Sequence, residues 1–337
     1  MASLKVAVLH YQPGVEEVDP VVLQIEAALK ANGHTPQLLS VDDRVTDVLE
    51  KIQGSGADLV FNVCETFADD YRMEVNIAAL MEMARVKFTG SGTAGLLLAQ
   101  DKILTKQLLE FHGVLSPRFA MFDGHTFSTN GDLSFPLIVK PAKSDASIGI
   151  GKRSIVKDLK ELSARVAEIR EELDDDALAE EFIEGREMYV GVLGPASKPE
   201  VLPVVELDFG KWEAGKPKIA NREVKFGPET ADSPRLLIAR DMSDELRERI
   251  ERAAVSAYRA LKLRDYARID FRVSSRTDAP YLLEVNPNPY LESRSEVALA
   301  CLAIGVSYER LIGKIVDSAV QRYRLDKLFA KQAARPA

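Results

Sequence analysis

The sequence predicts an α/β protein of several domains, the first of which contains a small parallel sheet. The chain has 337 residues, which corresponds to two or three domains of ordinary size. In the first hundred residues, short apolar runs alternate with amphipathic helical patterns, the order expected of βαβ units. Later, two alternating runs between residues 266 and 286 flank a turn and predict an antiparallel strand pair. We therefore expect α+β domains after the first.

The first domain is expected over residues 1–95. Leu4–His10 has the pattern of a strand, and Asp19-Pro20 then begins a helix, with Asp as the N-cap and Pro at the first helical position. Asn32-Gly33 is typical of a helix end. The apolar stripe of this helix is Val22, Ile25, Ala28 and Leu29. The other elements expected here are strands at 37–41 and 59–63 and a helix at 72–84.

Two more domains are expected, over residues 96–176 and 177–325, followed by a frayed tail at 326–337. The elements predicted in the second are a helix at 101–112, a strand at 135–141, a Gly/Ser/Ala-rich loop at 143–151 and a helix at 157–173. Those predicted in the third are a strand at 178–183, a Gly/Pro- and charge-rich stretch at 208–235 and an amphipathic helix before the strand pair. Its buried stripe is expected at Leu246, Ile250, Ala254, Ala257 and Leu261.

Composition excludes several classes of function. The net charge of −8 gives no basic surface for nucleic acid or an anionic membrane, so small-molecule partners are expected. The two cysteines, Cys64 and Cys301, match no zinc or redox spacing, which favours a reducing cytoplasm. The N-terminal apolar run is too short for a signal peptide, and no run of about 18 apolar residues occurs. The four histidines are dispersed and predict no histidine metal site.

The strand pair carries a constellation of charged residues. Arg268 and Asp270 share one face of the first strand because side chains alternate. On the second, Glu284 and Asn286 are expected on one face together with Leu282, and Leu283 and Val285 on the other. Mg²⁺ prefers one or two carboxylates with phosphate oxygens and water, so Asp270, Glu284 and Asn286 form a candidate magnesium site. The alternative is a solvent-facing strand pair with ordinary charges.

Nucleotide binding cannot rest on a phosphate loop of the G-x-x-x-x-G-K-[ST] type, because Gly149–Arg153 only resembles it. Lys140 ends a strand before the small-residue loop and is a candidate phosphate ligand. Lys102, near a helix start, is a second candidate, with a solvated surface lysine as the alternative. The segment Glu180–Ile183 could bind adenine through its backbone, with a carboxylate nearby for ribose, or could be an acidic edge strand.

Together these pieces resemble the ATP-grasp superfamily and, within it, the D-alanine–D-alanine ligases. The resemblance covers roughly residues 4 to 300 and implies a three-domain ATP-grasp architecture with a parallel-sheet domain at the N-terminus and ATP held between the second and third domains. The motifs that carry it occur in the family's order. They are Phe61–Glu65, Phe88–Ser91, Asp101–Lys106, Phe135–Gly149, Glu180–Glu187, Ala267–Asp270 and Glu284–Asn286.

The resemblance implies an ATP- and Mg²⁺-dependent carboxylate–amine ligase that works through an acyl phosphate, and a homodimer. Two Mg²⁺ ions are implied, with Mn²⁺ as an alternative, and Arg268 steadies the acyl phosphate and the tetrahedral intermediate. On the substrate side, Glu16 or Glu17 resembles the residue that binds the first substrate's ammonium group, and Ser147 retains one hydroxyl of a substrate loop. The implied phosphate ligands are Lys102, Lys140 and Lys225, the adenine segment is Glu180, Glu181, Phe182 and Ile183, the ribose ligand is Glu187, and the metal ligands are Asp270, Glu284 and Asn286.

The substrate side departs from the family pattern at several positions. Ala146 lacks a hydroxyl, Phe226 stands where a tyrosine is usual, and Tyr290 where a glycine is usual. Ser295-Glu296 replaces a Ser-Leu type pair, and Glu292, Arg294 and Glu296 are expected to form a charged cluster that could repel a substrate carboxylate or attract an amine. D-alanine is therefore one candidate acceptor, and another amino acid or small peptide is the alternative. Phosphoryl transfer without ligation and a degenerate nucleotide-binding protein are the other hypotheses.

Overall fold

The computed structural model describes residues 3–14, 17–124, 126–142, 149–210, 212, 218–220, 224, 230 and 233–326. Its strands are β1 (Lys5–Tyr11), β2 (Thr35–Val41), β3 (Leu59–Asn62), β4 (Phe119–Asp123), β5 (Thr126–Thr129), β6 (Leu137–Pro141), β7 (Ile155–Val156), β8 (Ala177–Glu181), β9 (Gly185–Gly194), β10 (Glu200–Val201), β11 (Val205–Asp208), β12 (Arg235–Ile238), β13 (Asp265–Ser274) and β14 (Pro280–Asn286). Its α-helices are α1 (Pro20–Ala31), α2 (Val45–Ser55), α3 (Glu74–Met83), α4 (Thr93–Gln100), α5 (Lys102–Phe111), α6 (Leu159–Leu173), α7 (Asp244–Ala260), α8 (Glu296–Ala303) and α9 (Tyr308–Tyr323).

The N-terminal part contains the predicted parallel sheet. Its order is β2-β1-β3, and both strand pairs are parallel. Helix α1 begins where the sequence predicts, because the Asp19 side chain accepts a hydrogen bond from the Val21 N–H at 2.9 Å. Its stripe of Val22, Ile25, Ala28 and Leu29 is buried. The local signals of this region therefore agree with the fold that forms.

The central part is an antiparallel sheet of order β5-β4-β8-β6-β7. Helix α6 covers one face, where Leu162 and Ile169 pack against Leu137 and Val139. The strand predicted at residues 135–141 is β6, which pairs with β8 along its length. This sheet places the carboxyl end of β6, with Lys140, beside Glu180 of β8.

The third sheet has the order β12-β11-β9-β13-β14, with β10 paired to β9, and its strand pairs are antiparallel. The amphipathic helix predicted from its stripe is α7, which buries Leu246, Ile250, Ala254 and Ala257. Central strand β9 was not predicted. It begins at Gly185, where φ is 153°. A Cβ atom at this position would lie 1.9 Å from the carbonyl oxygen of Val273. Only glycine therefore allows the start of β9 to approach β13 this closely.

A β-bulge corrects one detail of the predicted strand pair. Asp270 opposes Glu284, but the next residue, Phe271, opposes Leu282, so Leu283 is an extra residue on β14. The bulge turns Leu282 into the apolar core that also contains Val285 and Phe271. The expectation that Leu282 shares a face with Glu284 was therefore wrong, whereas Glu284 and Asn286 do share one face with Asp270.

Buried Asp265, at the start of β13, joins three parts of the molecule. Its carboxylate accepts hydrogen bonds from the Gly90 N–H at 2.9 Å, from the Ser318 hydroxyl at 2.7 Å and from the Arg322 guanidinium. Helix α9, which supplies Ser318 and Arg322, also shares an apolar core with α1 and β9. The strand that carries Arg268 is thus fixed both to the segment after the N-terminal sheet, through Gly90, and to the last helix. Among the described residues, no helix is long and apolar enough to cross a bilayer.

Candidate active site

The strand pair brings the predicted metal ligands together. Arg268 opposes Asn286 across β13 and β14, and Asp270 opposes Glu284. The side-chain amide of Asn286 donates to Asp270 Oδ2 at 3.2 Å. Within the described ranges, no cluster of three or more His, Cys, Asp or Glu residues could hold a metal. Two carboxylates and an amide therefore form an open set, which would need ligands such as phosphate oxygens and water to complete it.

Arg268 lies between two carboxylates. Its Nε and Nη2 donate to the two oxygens of Asp270 at 2.8 and 2.9 Å, and its Nη1 lies 3.3 Å from Glu296 Oε2. The guanidinium also lies over the ring of Tyr189, 5.4 Å from the centroid. Burial alone would lower the pKa of Arg268, but Asp270 and Glu296 outweigh it and hold this pKa well above its ordinary value. The guanidinium is therefore a permanent, fixed cation.

Lys102 is a buried residue of the site and not a solvated surface lysine. Asp101 caps α5 through hydrogen bonds from the N–H groups of Ile103 and Leu104, which sets Lys102 at the first helical position. Its side chain is 9% exposed, and its Nζ lies 3.8 Å from Glu284 Oε1. Lys102 and Glu284 also line a recess together with Gln100. This contact joins the predicted phosphate ligands to the predicted metal ligands.

Lys140 belongs to a buried triad that the sequence did not reveal. Its Nζ lies 2.8 Å from Glu180 Oε2, and Lys106 Nζ lies 2.7 Å from Glu180 Oε1. Burial would raise the pKa of Glu180, but the two lysines outweigh it and lower this pKa. Burial lowers the pKa of Lys106, whereas Glu180 outweighs burial at Lys140 and raises its pKa. The sequence contained one signal that Lys106 belongs to the site. Lys102 and Lys106 are four residues apart, so they lie on the same face of one helix.

The predicted adenine segment is fixed by its own hydrogen bonds. The N–H groups of Glu181 and Phe182 donate to Arg118 O and Pro136 O at 2.9 and 3.0 Å. The carbonyl of Ile183 accepts from Arg272 Nε at 2.9 Å. The Glu180 side chain points to the two lysines. The segment is thus a rigid connection between β8 and β9 at the edge of the site.

Arg272 ties this segment to Glu187. Its Nη1 donates to Glu187 Oε2 at 2.7 Å, and the Tyr189 hydroxyl donates to Glu187 Oε1 at 3.0 Å. The guanidinium also lies over the Phe182 ring, 5.3 Å from the centroid. Sequence reasoning assigned no role to Arg272, although its position two residues after Asp270 places it on the same strand face.

Several predicted residues lie outside the described part of the chain, namely Glu16, Ala146, Ser147, Lys225 and Phe226. Glu17 is described and exposed. The substrate-side residues after β14 do lie in the described region. The Tyr290 hydroxyl donates to Asp19 Oδ1 at 2.8 Å, which ties this loop to the start of α1.

The predicted charged cluster is divided in two. Arg294 Nε lies 3.5 Å from Glu292 Oε1, at the surface. Glu296 instead pairs with Arg268, because Ser295 caps α8 through the Ala298 N–H and places Glu296 at its first position. Helix geometry therefore directs Glu296 into the site and leaves the other two residues outside it.

Comparison with known proteins identifies the family to which the chain belongs. The family model described as D-ala D-ala ligase C-terminus matches residues 108–317. An uncharacterised protein of Sinorhizobium fredii is 35% identical, over 89% of this chain and 87% of that protein. A D-alanine–D-alanine ligase of Bordetella petrii is 32% identical, over 88% of this chain and 85% of that enzyme. The chain belongs to the D-alanine–D-alanine ligase family.

The fold agrees with this assignment. A crystal structure of the D-alanine–D-alanine ligase of Bacillus anthracis in complex with ATP matches with a TM-score of 0.75 at 22% identity, over 96% of this chain and all of that chain. The predicted ATP-grasp architecture is therefore confirmed. Family membership also confirms the coarser functional prediction, that of a ligase that uses ATP to join a carboxylate to an amine.

Proposed function

We propose that this family member is a Mg²⁺-dependent ligase that activates a carboxylate as an acyl phosphate, with D-alanine as the activated substrate. The observation that carries the proposal is the contact between Lys102 and Glu284, whose Nζ and Oε1 atoms are 3.8 Å apart. It sets a buried cation suited to phosphate beside carboxylates suited to Mg²⁺. Arg268 lies next to Asp270. The charged side chains would therefore extend from the phosphates of ATP, near Lys102, to the acyl group, near Arg268.

The donor set fits Mg²⁺. Asp270 and Glu284 supply two carboxylates, Asn286 supplies an amide oxygen, and the strand register keeps all three on one face. Carboxylates completed by phosphate oxygens are the usual surroundings of Mg²⁺ in phosphoryl-transfer sites. Two ions held there, or Mn²⁺ in their place, would offset charge on the triphosphate. Lys102 and Lys140 would add positive charge from the opposite side.

The reaction follows from elementary carboxylate chemistry. A carboxylate oxygen attacks the γ-phosphorus of ATP, the bond to ADP breaks, and an acyl phosphate forms. An amine nitrogen then adds to the acyl carbon and loses its proton to water, and phosphate leaves with the electron pair of the carbon–oxygen bond. Arg268, which donates two hydrogen bonds to Asp270, would stabilise the oxygen that becomes negative during the addition.

The remaining assignments are proposals based on the family. Glu16 or Glu17 would bind the ammonium group of the first substrate, Ser147 would contact the substrates, and Lys225 would contact the γ-phosphate from the loop at 208–235. Glu180–Ile183 would lie against adenine, and Glu187 would bind ribose, with Arg272 orienting its carboxylate. The domain limits at 95 and 176 and the homodimer are likewise predictions.

The test is ADP release by the purified protein with ATP and MgCl₂, first with D-alanine alone and then with pooled D- and L-amino acids. Mass spectrometry identifies the products. We expect ADP and an amide-linked product, and we expect Glu284→Gln to reduce ADP release at least about a hundredfold, because one metal-binding carboxylate is lost. Glu245→Gln, an exposed residue on α7, is the matched control. ADP formation without any amide product would indicate phosphoryl transfer alone, and nucleotide binding without ADP a non-catalytic protein.

A further inference from the structure

Two carboxylates, one on each side of Arg268, balance its positive charge. This balance of charge affects which second substrate can bind. Three of its nitrogens contact protein carboxylates, Nε and Nη2 on Asp270 and Nη1 on Glu296. The group therefore contains one positive and two negative charges. A guanidinium that already faces two carboxylates attracts a third one weakly.

Glu296 is held firmly in this position. It lies in the first turn of α8, which Ser295 caps and whose residues Val297 and Cys301 are fully buried. An acidic residue in a first helical turn is favourable on its own because of the helix dipole. That preference does not explain why the side chain, only 20% exposed, points to Arg268 at 3.3 Å and not to solvent. Its direction is a property of the site.

The acceptor amine must approach the acyl carbon from the side that phosphate does not occupy. Lys102, Asp270 and Glu284 mark the phosphate side. Glu296 contacts the guanidinium of Arg268 at the Nη1 atom, which Asp270 does not contact. The incoming amine therefore meets a carboxylate, which favours its ammonium form as it binds and disfavours a free carboxylate next to it.

We propose that Glu296 determines which amine is accepted as the second substrate, an inference that rests on the proposed function. The preferred second substrate is an amine whose neighbouring carboxyl group is absent or already in amide linkage, such as an amino-acid amide or the N-terminus of a peptide. Glu296 binds its ammonium group, which gives up one proton to water before its nitrogen attacks the acyl carbon. A free amino acid, whose carboxylate would lie near Glu296, is the poorer acceptor.

The first step of the test isolates carboxylate activation. Hydroxylamine, which has no carboxylate, traps an acyl phosphate as a hydroxamate, so it reports the proposed function regardless of the natural acceptor. The wild-type protein is incubated with ATP, MgCl₂, hydroxylamine and D-alanine, or each other amino acid in turn. The acid that gives a hydroxamate becomes the donor for the second step. No hydroxamate with any acid would overturn the proposed function and this inference with it.

The second step is a competition between D-alanine and D-alaninamide at equal concentration, which differ only at the carboxyl group. We expect the amide product to exceed the free-acid product at least about tenfold in the wild type, and Glu296→Gln to shift this ratio toward the free acid by a similar factor. The ratio is internally normalised, so it does not depend on total activity. Glu309→Gln removes a glutamate from the first turn of α9 and is the matched control.

The outcomes separate the two proposals. Hydroxamate formation with a preference for free D-alanine overturns the acceptor inference and leaves the proposed function standing. A preference for the amide that Glu296→Gln does not change also overturns the role of Glu296. If the Gln variant does not fold, Glu296→Asp replaces it. That variant keeps the charge but shortens the side chain, and we expect a smaller shift in the same direction.

Discussion

In the proposed active site, the nucleotide side and the acceptor side have opposite arrangements of charge. On the nucleotide side, two lysines surround Glu180, and all three side chains are almost completely buried. On the acceptor side, two carboxylates surround Arg268, of which Asp270 is buried and Glu296 is partly accessible. The first group has an excess of positive charge, which suits phosphates, and the second an excess of negative charge, which suits an ammonium group. Under the proposed function, this difference in local charge separates the nucleotide side from the acceptor side.

Among substitutions that change the charge on one of these two sides, we expect the largest effect, a loss of stability, at Glu180. Glu180→Gln leaves two buried ammonium groups without a carboxylate, and we expect the free energy of unfolding to fall by about 3–5 kcal/mol. Chemical denaturation followed by circular dichroism measures this loss. Lys106→Met is the comparison, with a much smaller expected loss, because burial already lowers the pKa of Lys106 and Glu180 keeps its contact with Lys140.

The loss at Glu180 should depend on pH. The pKa of Glu180 is lowered in the folded protein, so its contribution to stability is present above the ordinary carboxyl pKa of about 4.3. It disappears as the pH falls below that value toward the lowered pKa. The stabilities of wild type and Glu180→Gln should therefore converge in acid. Equal losses for Glu180→Gln and Lys106→Met at neutral pH would contradict the triad argument.

On the acceptor side, Arg268→Ala should act on rate more than on nucleotide affinity. Loss of one fixed donor to a developing oxyanion typically costs on the order of 10²–10³ in kcat. Steady-state ADP release gives kcat, and titration with a non-hydrolysable ATP analogue gives the affinity, which we expect to be largely kept. Arg294→Ala, whose side chain is exposed, is the control. Parallel losses of affinity and turnover would argue against the oxyanion role.

The smallest effect is expected at Arg272, on the nucleotide side. Arg272→Lys keeps the charge but loses the fork that joins Glu187 to the Ile183 carbonyl. We expect the KM for ATP to rise about tenfold with kcat changed less, since a charged hydrogen bond contributes about 1.5–3 kcal/mol. Arg276→Lys, in the exposed turn after β13, is the control. A fall in kcat at unchanged KM would place Arg272 with the acceptor side instead.

Local patterns were sufficient where the determinants are local. Alternation predicted the antiparallel pair and the meeting of Asp270, Glu284 and Asn286, and capping chemistry predicted the start of α1. Strand β9 was missed because Met188–Leu193 is a continuous apolar run, as expected of a strand buried on both faces, and has no alternation to recognise. The bulge at Leu283 depends on the partner strand, which the pattern of one strand does not reveal.

Ion pairs between distant residues were the other part that sequence reasoning missed. Lys106 and Glu180 are far apart in sequence, as are Arg268 and Glu296, and each residue alone resembles an ordinary surface charge. The motifs predicted that Lys102 and Lys140 serve one site, but not which carboxylates would accompany them. Only the register of β8 and the cap of α8 decide that.

The partners of Asp265 have a consequence for the order in which the protein is made. Gly90 precedes Asp265 by 175 residues, whereas Arg322 follows it by 57. A chain that folds as it leaves the ribosome can complete the N-terminal sheet early. The buried carboxylate three positions before Arg268 acquires its cation only after α9 has been translated. The start of β13 therefore gains its last anchor late in synthesis, and a nascent chain stalled before residue 322 lacks the ion pair that joins this strand to α9.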